Sequence, residues 1–311
     1  MNSIVVAEQP TKGSLPGWSV PMVFIVAATS QYVGAALGVF LFDTTEPATV
    51  AWLRAAAAGV ALVAWRRPWR TRWTRQGVAM AAGFGVVTVG MNIVFYEAIA
   101  RIPLGTAVAI EFLGPVAVAT LGSRRARDLL AVALVALGVV LLAGVQLDVE
   151  PVGVAFALAS AVLWAAYIMV GKRVADTGDG QDSLAVGMAA AAVVLAPFVL
   201  IPQLTIDAGV FADPRTWLLG LGVGVLSSAV PYALDQVVLT AVGRARFALL
   251  LALLPATATV VGAIALAQRP TTLELTGIAL VMLALTVSAL PTRVPPRSLD
   301  PHVASGSTMA P

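Results

Sequence analysis

Apolar residues run through this chain in long blocks of about twenty, separated by short polar or basic connections. A helix needs roughly 17 to 25 apolar residues to cross the hydrocarbon of a bilayer. The pattern predicts ten such helices, at 18–40, 47–65, 76–96, 104–122, 128–145, 151–170, 183–203, 215–238, 246–267 and 273–291. A transmembrane barrel would instead show alternating segments of about ten residues, and this chain does not. Glycine and alanine crowd the apolar runs, where small residues let helices approach closely. The expected fold class is an all-α polytopic membrane protein.

Basic residues orient it. With the N-terminus inside, the inner connections hold Lys12, the arginines of RRPWRTRWTR (66–75), Arg124, Arg125, Arg127, Lys172, Arg173, Arg244, Arg246, Arg293 and Arg297. The opposite connections hold only Arg101, Arg215 and Arg269, while Arg54 lies within a span. Cytoplasmic connections are the basic ones, so both termini are expected to be cytoplasmic. Trp65, Trp69 and Trp73 accompany the arginines of the first inner connection, as amphipathic rings do at a membrane interface.

Shifting the chain by 140 residues lays IEFLGPVAVATLG (110–122) on LLALLPATATVVG (250–262), matching Pro115 to Pro255 and Gly122 to Gly262. The match divides the spans evenly into two five-helix repeats, 18–145 and 151–291, flanked by a short N-terminal segment 1–17 and a polar tail 292–311. Five crossings are an odd number, so the second copy enters the membrane inverted. Inverted halves that exchange shapes suit alternating access to a central site.

Composition narrows the function. Mean hydropathy is +0.92 and only 11% of residues are charged, which leaves no room for a soluble catalytic or nucleotide-hydrolysing domain. Cysteine is absent and the one histidine, His302, lies in the polar tail, so neither a metal site nor a cofactor is expected. The formal charge of +3 sits in clusters between apolar runs and indicates a lipid bilayer rather than nucleic acid.

Chemistry should therefore lie in the polar residues within the spans. Glu111 falls about seven residues, or roughly 10 Å, into the fourth span, where a charge must face a bundle interior, water or a cation. It suits a structural ion pair, solute recognition or proton coupling, and Arg54 lies at a depth that allows pairing. Asn92 and Tyr96 stand one turn apart in the third span, and Trp164 and Tyr167 share a face of the sixth. Each pair suits either a cavity wall or packing between helices. Asp235 lies toward the inner end of the eighth span, in LSSAVPYALDQVV. Pro231, Pro115 and Pro255 should bend their helices or open the backbone bonding.

The stretch MNIVFYEAIARIPLGTAVAIEFLGPVAVA (91–119) resembles the signature region of the EamA-type branch of the drug/metabolite transporter superfamily, especially bacterial threonine and homoserine exporters. Residues 226–281 resemble the corresponding part of the second repeat. The resemblance implies inner-membrane export of a small amino acid, commonly linked to the proton gradient. It implies roles for Tyr96, Pro103, Gly105, Glu111, Gly114 and Pro115, and for Pro231 and Tyr232 in the second half. The sequence departs from the family pattern at Leu254 and Gln268, where acidic residues are common, and at Asp235, where a glutamate is familiar. Other readings are export of an aromatic or cationic metabolite, with Trp164, Tyr167 and Tyr232 as cavity wall, or a membrane receptor or scaffold.

Overall fold

The computed structural model describes residues 19–121, 125–147, 150–175 and 180–289, and these are helical throughout apart from short turns. The expected terminal segments 1–17 and 292–311 lie outside the described residues. In chain order the helices are α1 (Ser19–Val39), α2 (Pro47–Arg66), α3 (Arg75–Ile99), α4 (Leu104–Glu111), α5 (Leu113–Thr120), α6 (Ala126–Leu147), α7 (Pro151–Ala175) and α8 (Gly180–Ile206). Then come α9 (Pro214–Gly224), a single π turn (Val225–Ala229), α10 (Val230–Leu251), α11 (Leu254–Ala265) and α12 (Thr272–Ala289).

Among the described residues nine stretches are long and apolar enough to cross a bilayer, and the shorter stretch Leu104–Thr120 occupies the place of the expected fourth span. That span is broken at Phe112, between α4 and α5. A proline has no N–H to give the carbonyl four residues back, and Pro115 lies three residues beyond this break. The other break of this kind falls at Ala252 and Leu253, just ahead of Pro255. The expected connection at 239–245 is itself helical, because the backbone of α10 stays wound from Val230 to Leu251.

Helix ends follow from local sequence. Pro47 opens α2 at a position where no N–H is needed. Thr74 caps α3 by accepting from the N–H of Gly77 at 3.0 Å, and Asp213 caps α9 by accepting from that of Arg215 at 2.8 Å. At α12 a capping box forms: the N–H of Thr271 donates to Glu274 at 2.7 Å, and the N–H of Glu274 donates to the Thr271 hydroxyl at 3.2 Å.

Long-range contacts define two ends of the bundle. At one, Gln203 accepts from the N–H of Glu46 at 2.8 Å, and Gln268 accepts from that of Leu104 at 3.0 Å. There too, buried Glu274 accepts from Gln146 at 2.8 Å and from Thr106 at 3.2 Å. At the other, arginine-rich end, Asp182 receives Arg66 at 3.1 Å and Thr71 at 2.7 Å. The principal pairings are α6 with α12, α3 with α8, α2 with α8, α4 with α11, α1 with α10 and α11, and α7 with α3, α4 and α5. Several crossings need glycine: for example, a Cβ on Gly85 would collide with the Gly187 backbone, and one on Gly138 would lie 2.8 Å from the Gly277 carbonyl oxygen.

Candidate functional site

A cavity of about 370 Å³ lies in the middle of the bundle, within the range of small-molecule sites. Its polar lining includes Gln31, Tyr32, Arg54, Asn92, Glu111 and Asp235. Toward the arginine-rich end its wall continues through Leu62, Leu184, Tyr232 and Asp235. Toward the opposite end the bundle is tightly filled: Leu41, Val50, Tyr96 and Phe112 are at most 1% exposed.

Arg54 comes from α2 and reaches the π turn. Its Nε donates to the Ser228 hydroxyl at 3.1 Å and its Nη2 to the Ser227 carbonyl at 2.9 Å. Below the guanidinium lies the Tyr96 ring, with 5.8 Å from Cζ to the ring centroid. Glu111, the last residue of α4, accepts one hydrogen bond of 3.3 Å from Ser160 of α7. Arg54 and Glu111 therefore face one cavity without an ion pair, each bonded to serine. A guanidinium and a carboxyl group that do not pair with each other leave two distinct polar groups facing the cavity.

Seven of the ten residues singled out from the sequence line the cavity: Arg54, Asn92, Glu111, Trp164, Tyr167, Tyr232 and Asp235. Tyr96 does not, being fully buried under Arg54. Its hydroxyl lies near Ser227 and Arg54 but at no ordinary hydrogen-bond geometry. Pro115 and Pro255 lie on the helices beyond the two breaks and outside the lining, whereas Pro231 is part of it. Trp164 and Tyr167 combine the two roles expected of them as alternatives. Trp164 packs on Phe112 at 4.6 Å and Tyr167 stacks on Phe84 at 5.0 Å between ring centroids, and both rings border the cavity.

Sequence reasoning passed over Ser160, Ser227 and Ser228. Two adjacent serines just before a proline in an apolar run were the available signal, because hydroxyls in lipid must find partners.

The fold and site define a polytopic membrane protein built around a polar central cavity. The chain belongs to the EamA-like transporter family, whose sequence profile matches residues 151–290. It is 35% identical to the threonine/homoserine exporter RhtA of Salmonella typhimurium (strain LT2), over 91% of this chain and 95% of that one. To RhtA of Escherichia coli (strain K12) it is 34% identical, over 90% of this chain and 94% of that one. A crystal structure at 18% identity shares the fold with a TM-score of 0.55, covering 87% of this chain and 96% of the other. The named relatives are exporters, not enzymes.

Proposed function

We propose that this chain exports small amino acids such as threonine or homoserine across the bacterial inner membrane by alternating access, driven by the proton gradient. The observation that carries the reading is the central cavity whose lining holds Arg54, Glu111 and Asp235, none of them in an ion pair among the described residues. A zwitterionic amino acid fits such a set. Its carboxylate meets Arg54, its ammonium meets Glu111 or Asp235, and each contact gains strength from the low dielectric around it. The exporter relatives, alike over nine-tenths of the chain, support the same reading.

Ten spans arranged as two inverted five-helix repeats, with both termini cytoplasmic, put the arginine-rich end in the cytoplasm. The cavity then faces the compartment from which export begins, with its far side packed shut. In support of a repeat, helix breaks fall at Phe112 and at Ala252 and Leu253, 140 residues apart for the first two. Among the packing pairs, α2 with α8, α4 with α11 and α6 with α12 map onto themselves when the halves are swapped. Glu111 and Asp235 are the residues to carry the coupling proton.

A second reading, export of an aromatic or cationic metabolite, draws on the rings of Phe95, Trp164, Tyr167, Tyr232 and Phe247 in the wall. Efflux from cells decides between them. Cells expressing the protein and loaded with a threonine-containing dipeptide should release threonine faster than cells without it, and an uncoupler should slow the release. Unchanged threonine release, with an aromatic or cationic metabolite leaving faster, selects the second reading.

A further inference from the structure

We infer that Pro231 is a positioning residue for Arg54, and that the hydrogen bond it withholds from its own helix sets the guanidinium to grip a carboxylate. The inference rests on the amino-acid reading above and deepens it. In the π turn the N–H of Val230 bonds to the carbonyl of Val225, five residues back. The next N–H in that register would bond to Leu226, and in the ordinary α register it would bond to Ser227. Residue 231 is proline and supplies neither.

Both freed carbonyls are taken by the first half of the chain. The Ser30 hydroxyl donates to the Leu226 carbonyl at 2.9 Å, and Arg54 Nη2 donates to that of Ser227, also at 2.9 Å. A third link runs from the Ser227 hydroxyl to the Gln31 carbonyl at 2.9 Å. Gly34 permits this approach, since a Cβ there would come within 2.7 Å of the Ser227 nitrogen.

The consequence is directional. A free arginine side chain samples many rotamers, whereas this one is held at Nε by Ser228, at Nη2 by Ser227 and from below by the Tyr96 ring. Among the described residues Nη1 has no protein acceptor. Nη1 and the second N–H of Nη2 thus form the edge that pairs with both oxygens of a carboxylate. An ordinary residue at position 231 would bring an N–H that competes for the Leu226 and Ser227 carbonyls, and the fork would lose its fixed side.

The test is threonine affinity, measured by isothermal titration of the purified full-length protein in detergent for wild type, Pro231→Ala, Arg54→Lys and the double variant. Losing a fixed charge-assisted contact weakens binding about tenfold, and lysine, which lacks the fork, should lose a similar factor. If Pro231 acts through Arg54, the double variant binds no more weakly than Arg54→Lys alone. A Pro231→Ala protein with unchanged affinity, or losses that multiply in the double variant, overturns the inference while leaving the amino-acid reading in place. Absence of threonine binding by the wild type sinks both. Should Pro231→Ala fail to fold, Ser228→Ala removes the Nε acceptor without touching the backbone and is expected to weaken binding by a few fold, again only where Arg54 is present; equal weakening in the Arg54→Lys background would be the contrary result.

Discussion

Replacing Glu111 with glutamine separates a structural role from a solute-binding one. Among the described residues this side chain accepts a single long hydrogen bond, 3.3 Å from Ser160, and forms no ion pair. A glutamine of the same shape can keep that bond, so the change in stability should stay within about 1 kcal/mol. Transport is another matter. A hydrogen bond between a carboxylate and an ammonium contributes about 1.5–3 kcal/mol, which corresponds to a roughly ten- to hundredfold rise in the concentration needed for half-maximal transport. The assay is labelled-threonine uptake into preloaded proteoliposomes over a range of threonine concentrations, with a thermal melt of the same preparation. A half-saturation that moves less than twofold would remove Glu111 from solute binding. A melt that collapses in Glu111→Gln would instead show that the carboxylate holds the fold together.

Three further predictions concern what holds the bundle together. Gly85→Ala would drive a methyl group into the Gly187 backbone where α3 crosses α8; forced repacking costs about 1–3 kcal/mol, so the melting temperature should fall, and an unchanged melt would mean that the crossing is looser than described. Glu274→Leu strips the acceptor from Thr106, Gln146 and Thr271 inside the protein, and at about 1–3 kcal/mol for each buried donor left unpaired it should be far more damaging than Glu274→Gln, a ranking that thermal melts or yield of folded protein can check. By contrast Arg66→Gln, which breaks a half-exposed ion pair with Asp182, should shift stability by no more than about 1 kcal/mol; a larger loss would show that this contact is a main tie between α2 and α8.

The spans were legible because lipid tolerates little except apolar helix, so their edges show as changes of composition. Arg54, Glu111 and Asp235 were legible for the same reason, since a charge inside such a run must have a purpose. What they bond to was not. Arg54 takes its acceptors from residues 173 and 174 positions away, and Glu111 its donor from 49 away, separations that no local pattern encodes. A pairing of Arg54 with Glu111 was compatible with their depths, yet each found a serine. Tyr96 looked like a cavity residue from its place one turn beyond Asn92, but the guanidinium of Arg54 lies over its ring and Asn92 alone reaches the cavity. Pro115 and Pro255 announced breaks in their helices, while the breaking residues themselves, Phe112 and Ala252 with Leu253, carry no breaker chemistry of their own. The helical backbone across 239–245 was hidden by Gly243, Arg244 and Arg246, which read as a polar connection.

We hold that the cavity around Arg54, Glu111 and Asp235 carries a small amino acid. Counterflow by the purified protein decides whether it does: proteoliposomes preloaded with unlabelled threonine or homoserine, labelled threonine outside, and an aromatic amine as competitor in parallel. Saturable accumulation of label, abolished when the internal amino acid is omitted and little affected by the amine, is the predicted result. Folded protein that accumulates no threonine under these conditions would contradict it.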